Sequence, residues 1–131
     1  MTSRPILVGT ALALGAIGLA LLFAPDEVLA HVVGENASPA IAVLTQLLGA
    51  AWLGLAYGNW TARGLVVGGI HGRAIVIGNL MHATTGALVL LRHAVGGAPL
   101  AVWAAAALLA AMSLAFGWLL RTAPRVPPPK P

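Results

Sequence analysis

The chain has 131 residues, 60% of them hydrophobic and only 8% charged, with a mean hydropathy of +0.94. A soluble domain carries about 25% charged residues, so this balance excludes a water-soluble fold and specifies an integral membrane protein in contact with a lipid bilayer. The formal charge of +4 does not point to nucleic acid, because the cations punctuate the ends of apolar runs instead of forming a patch.

Residues 5–24 form the first apolar run, preceded by Arg4 and ended by Pro25-Asp26-Glu27. At about 1.5 Å per residue such a run crosses one hydrocarbon core of roughly 30 Å. A signal peptide cleaved after Val28-Leu29-Ala30 is the competing reading, but the run exceeds the usual h-region of about 7–15 residues. The segment is therefore expected to be retained as a helix. Gly15 and Gly18 give it a surface that a neighbouring helix can approach closely.

The first connection, from Pro25 to Ser38, opens with Asp26 and Glu27, which suit the first turn of a helix. Val28, Leu29, Val32 and Val33 make one apolar side, so a short interfacial helix capped by Gly34 is expected. His31 lies on its polar side and reads as a surface histidine. The second span, 40–60, is opened by Ser38-Pro39 in the manner of an N-cap followed by proline. It contains Thr45 and Gln46, and Gly49 and Gly54 provide small-residue surface. Tyr57 and Trp60 belong at the headgroup level, and Asn59 between them reads as solvated there.

A connection rich in glycine and arginine follows, in which Leu65-Val66-Val67 is too short to span and is expected to dip into the interface. The third span, 74–91, ends at Arg92-His93. A tight glycine-rich turn then leads to the fourth, 100–120, bracketed by Trp103 and Trp118. The tail, 122–131, is Pro-rich and basic, and is expected to be extended, solvated and cytoplasmic. The fold class predicted is thus an all-α integral membrane protein, a bundle of four transmembrane helices over residues 1–121.

With four spans, the amino end, the central connection and the tail share one side. That side holds six of the seven cations, leaving only Arg92 opposite, on the side of Asp26, Glu27 and Glu35. The positive-inside rule then places both termini in the cytoplasm. The two helical pairs differ in polar content and linker length, so an inverted-repeat transporter is not indicated.

The densest polar set in any apolar run is Gly78-Asn-Leu-Met-His-Ala-Thr-Thr-Gly86. Asn79, His82 and Gly86 share one helical face, which should point toward other helices and away from hydrocarbon. His82 falls near the midplane, where an ionisable residue is a functional hypothesis by default. A cluster of His82, Asn79 and Gln46, with Thr85 or Ser113 contributing, is a candidate ligand or proton site. The competing reading is interhelical glue, worth about 0.6 kcal/mol per polar contact. Gly78 and Gly86, flanking His82, suit close helix packing within the chain or between copies.

No cofactor or metal is implied. The chain has no cysteine, which removes thiolate sites and thiol chemistry. His71 and His93 lie some 30 Å apart along one helix, and the membrane holds no paired carboxylate. An enzyme is accordingly the least supported reading, since no second catalytic group is visible.

Ala24-Pro-Asp-Glu27 at the exit from the first helix, Leu48-Gly49-Ala50 and Asn59-Trp60, in a four-span format, resemble the DoxX-like group of small bacterial membrane proteins. The resemblance carries over no functional residue. Small multidrug transporters share only the format, because the first helix here lacks their membrane-embedded glutamate. The leading expectation is a structural or accessory protein that associates with itself or with another membrane protein through its glycine faces. The alternative is a small-solute or proton pathway around His82.

Overall fold

A computed structural model of the chain describes residues 3–32, 38–65 and 70–122. Five helices occupy them: α1 (Ser3–Phe23), α2 (Pro25–Val32), α3 (Pro39–Ala62), α4 (Ile70–Ala94) and α5 (Leu100–Thr122). The four long ones are each long and apolar enough to cross a bilayer. Leu12, Leu44, Leu88 and Leu114 are all more than 60% exposed. In water such an array would be an aggregation surface, whereas in lipid it is the expected exterior of a multi-pass membrane protein.

The helix ends follow from local chemistry. Pro25 disfavours the α conformation at Ala24, so α1 stops at Phe23 and α2 starts with proline at its first position. In α2, His31 Nδ1 donates to the Glu27 carbonyl, 2.7 Å away, on the exposed side, while Leu29 is buried. Ser38 precedes α3 in extended conformation, with Pro39 following. Its side chain makes no capping bond, and its carbonyl accepts from Ile41 N. The far end of α3 is anchored by Arg63, whose guanidinium bonds the Trp60 carbonyl and lies 4.2 Å from the Trp60 ring centroid. That cation–π contact fits the headgroup level. Between α4 and α5 the chain turns at Gly97, with φ at +97°, a backbone conformation open to glycine at no steric cost. Gly34, Val66, Val67 and the tail beyond Thr122 lie outside the described residues, and so do the expectations placed on them.

α4 is longer than the run 74–91 predicted from hydropathy. Helical hydrogen bonding does not stop where the hydrocarbon stops, so His71, Arg73, Arg92 and His93 are helical but exposed. Their polar ends reach the interface from within the helix.

The long helices alternate in direction and form a ring in chain order, α1 beside α3, α3 beside α4, α4 beside α5 and α5 beside α1. They are not evenly spaced. α1 lies close against α3, and α4 against α5, while the two pairs approach each other more distantly. Small residues explain the α1–α3 closeness. A Cβ at Gly49 would meet Gly18 O and Leu22 N at 2.8 Å, and one at Gly18 would meet Gly49 O at 3.0 Å. Backbone therefore touches backbone, and only glycine permits it. Large side chains fill the space between the pairs, among them Leu7, Leu14, Trp52, Leu109 and Phe116. On α1, Leu7, Leu14 and Leu21 repeat every seven residues, as packing of antiparallel helices at a shallow angle requires.

The remaining glycines divide by the same measure. A Cβ at Gly15 would meet Ala56 Cβ at 3.7 Å, an ordinary contact, and one at Gly86 would meet Leu109 Cδ1 at 2.8 Å. Among the described residues nothing lies within 4 Å of a Cβ at Gly54 or Gly78, so neither marks a close approach between the described helices. Gly78→Ala should therefore raise the thermal midpoint of the detergent-solubilised protein, since alanine improves helix propensity by about 1 kcal/mol over glycine. A lowered midpoint would show that this face is already packed.

Candidate functional site

Two polar groupings lie between the helix pairs, and they differ in kind. The first joins Thr10 of α1, Asn59 of α3 and Asn79 of α4, all buried, with Asn59 fully so. Asn59 Nδ2 donates to Asn79 Oδ1 at 2.9 Å, and Asn79 Nδ2 donates back to Asn59 Oδ1 at 2.7 Å. The second N–H of Asn59 reaches Thr10 Oγ1 at 3.3 Å, and that of Asn79 reaches the Ile75 carbonyl at 2.9 Å. Thr10 in turn donates to the Ile6 carbonyl at 2.8 Å. Every N–H of both amides is used, and the network is closed on itself. In hydrocarbon such completeness is what makes a buried polar cluster tolerable.

The second grouping is incomplete. Trp52 of α3 is 6% exposed, and its ring meets that of His82 of α4 edge to face, with centroids 5.8 Å apart. Both Trp52 Nε1 and His82 Nε2 are buried, and neither has a hydrogen-bond partner among the described residues. Leaving one buried polar group unpaired costs about 1–3 kcal/mol. His82 lies twelve residues from either end of α4, between Ile70 and Ala94, and Trp52 lies near the middle of α3. The two unpaired atoms are therefore at the level where the bilayer holds least water.

The predicted site residues are distributed over these features. Asn79 and His82 are one turn apart on α4, Asn79 in the closed network and His82 beside Trp52. Gln46 is exposed, and its Nε2 donates to the Leu22 carbonyl of α1 at 3.2 Å, so the rotation of α3 turns it toward the α1 side. Thr85 is exposed too, and bonds carbonyls of its own helix, Met81 at 2.7 Å and His82 at 3.3 Å. Its neighbour Thr84 makes the interhelical contact, to Ser113 of α5 at 2.7 Å.

Asn59, read from the sequence as solvated, is instead buried and central. Tyr57 and Trp60 are 72% and 43% exposed, but at 100° per residue Asn59 points the other way. Gly49, Trp52, Ala56, Asn59 and Ala62 form the buried stripe of α3, with spacings of three and four. That spacing was the available signal for both Asn59 and Trp52.

The chemistry open to the site is narrow. The indole N–H only donates, whereas the imidazole Nε2 accepts in one tautomer and donates in the other or when protonated. Together they can hold a small hydroxyl-bearing or carbonyl-bearing molecule, or pass a proton through His82. Among the described residues no three of His, Cys, Asp and Glu converge as metal ligands do, and the charged side chains sit near the helix ends. A groove of about 250 Å³ between α1 and α5, lined by Ile6, Gly9, Ala111 and Ala115, reaches Thr10 but offers no other polar side chain.

No family model matches the chain, and no curated protein and no solved structure matches it. The chain is a mostly apolar four-helix bundle of a small multi-pass membrane protein with an internal polar network.

Proposed function

We propose that this protein conducts a small neutral solute or protons across the membrane, through the polar cluster centred on His82. The observation that carries this reading is the pair of buried, unpartnered polar atoms, Trp52 Nε1 and His82 Nε2, on facing helices at mid-depth. Interhelical glue accounts for the Asn59–Asn79–Thr10 network, whose donors are all satisfied. It does not account for a donor and a convertible donor–acceptor held unsatisfied. Electrostatics favours a neutral solute, because an ion resting at the bilayer centre would need a counter-charge and no charged side chain is described there. A proton has the separate route of the convertible donor–acceptor His82 Nε2. The cation distribution supports an orientation with both termini in the cytoplasm, in a bacterial inner membrane.

A structural or accessory role is the second reading. It is favoured by Gly54 and Gly58 on α3, one turn apart, with nothing among the described residues within 4 Å of a Cβ at either, which leaves a face for a second copy or a partner helix.

Flux in proteoliposomes separates the two. Wild-type vesicles should show protein-dependent proton or water flux, by an internal pH dye and by light scattering. His82→Ala and Trp52→Phe should each lower it about tenfold or more, the effect of losing roughly 1.4 kcal/mol of stabilisation at the barrier, with thermal stability retained. Flux undiminished in His82→Ala, or absent from wild type, would reject the pathway.

A further inference from the structure

In this conformation Trp52 Nε1 and His82 Nε2 are sealed from solvent, so a pathway through them must be opened by moving helices. The structure specifies where movement is cheapest. Within each pair the helices are fixed, α1 to α3 by the backbone contact at Gly18 and Gly49, and α4 to α5 by close packing and the Thr84–Ser113 bond. The looser boundaries are the two seams between the pairs, α3–α4 and α5–α1. Trp52 and His82 face each other across the first, and that seam is not uniform along its length. On the side of the midplane where α3 ends and α4 begins, the reciprocal Asn59–Asn79 bonds tie the two helices, and Thr10 joins α1 to the tie.

On the other side, where α3 begins and α4 ends, no side-chain hydrogen bond between α3 and α4 exists among the described residues. The polar residues at that level are engaged elsewhere, Gln46 with the Leu22 carbonyl of α1 and Thr85 with carbonyls of its own helix. The described residues of α2, which lies on this side, pack against α1, α3 and α5 but do not approach α4. The carboxyl end of α4 is left uncapped by them.

We propose that the α3–α4 seam is a one-sided entrance. It parts on the face where α2 lies, admitting water to His82 and Trp52, while the Asn59–Asn79–Thr10 tie holds the opposite face shut. Opening gains hydrogen bonds for the two unpaired atoms, whereas opening the other face would first break the one complete network that the described residues form between the pairs. This rests on the reading of His82 as the centre of a pathway.

The chain has no native cysteine, so single cysteines report access directly. His82→Cys places one at the site. Ala83→Cys, at a fully buried neighbour, does so with the histidine retained. Val95→Cys and Arg63→Cys mark the α2 face and the opposite face. The probe is silver ion, added to either face of proteoliposomes whose orientation the two markers establish, with remaining thiol then counted by maleimide labelling and mass spectrometry. Silver ion should block positions 82 and 83 about tenfold faster from the α2 face, the bias expected when only one barrier contains interhelical hydrogen bonds. Adding Asn79→Ala to the Ala83→Cys variant should remove that bias.

Equal rates, or faster reaction from the opposite face, would overturn the one-sided entrance and leave the pathway standing. Protection from both faces with wild-type flux intact would also overturn it. Protection together with absent flux would reject the pathway itself.

Discussion

Gly49→Leu is expected to be the most damaging single substitution outside the polar groups. Its first side-chain atom alone would stand 2.8 Å from Gly18 O and Leu22 N, and backbone cannot rotate aside as a side chain can. The helices must separate, costing at least the 1–3 kcal/mol typical of overpacking, so about 3 kcal/mol or more is expected here. Gly86→Ala makes the informative comparison, because its obstacle at the same distance is Leu109 Cδ1, the far end of a flexible chain. That variant should lose less than about 1 kcal/mol. Thermal unfolding in detergent, followed by size-exclusion recovery, measures both, and equal losses would show that α1 and α3 are not in backbone contact.

The second large effect concerns the amide pair. Asn59→Leu strands Asn79, which keeps the Ile75 carbonyl but loses both bonds to Asn59. In a bundle interior the stranded oxygen and N–H find no water, which sets the cost near the upper end of measured membrane hydrogen bonds, about 1.5 kcal/mol. Asn79→Leu should cost a similar amount by stranding Asn59. The double variant should cost less than the sum, because it removes both orphans at once, with a coupling of about 1 kcal/mol. A denaturant titration of all four proteins completes the cycle. Strict additivity would show that the two amides do not bond.

These positions also show what can be read from such a sequence. Four spans were legible because length and hydropathy accumulate residue by residue and do not depend on which way a helix faces. Rotation was not legible in the same way. Each long helix is apolar on its lipid side as well as its core side, so the contrast that orients a soluble helix is missing. α4 was the exception, because Asn79 and His82 at i and i+3 mark an inward face on their own. α3 was not. Gln46 lies at a suitable depth for His82, yet its face turns to α1. Asn59 lies among residues that signal the headgroup level, yet its own face turns inward.

Trp52 shows a further limit. An aromatic residue within an apolar run reads as bulk, and only the position of its N–H relative to His82 gives it chemistry. Gly18 and Gly49 were recognisable as small surfaces, but nothing in the sequence said that they would meet each other while Gly54 and Gly78 met none of the described residues.

The placement of charge has a consequence for how this bundle responds to its surroundings. Arg4, Asp26, Glu27, Arg63, Arg73, Arg92 and Arg121 all lie at or near helix ends, where the transmembrane field does little work on them. An elementary charge must cross the low-dielectric centre to feel the full potential, about 2.3 kcal/mol per 100 mV. Parting α3 from α4 moves no such charge. Under the proposed opening, a proton carried by His82 would be the one full charge of the described bundle placed at the centre of that field.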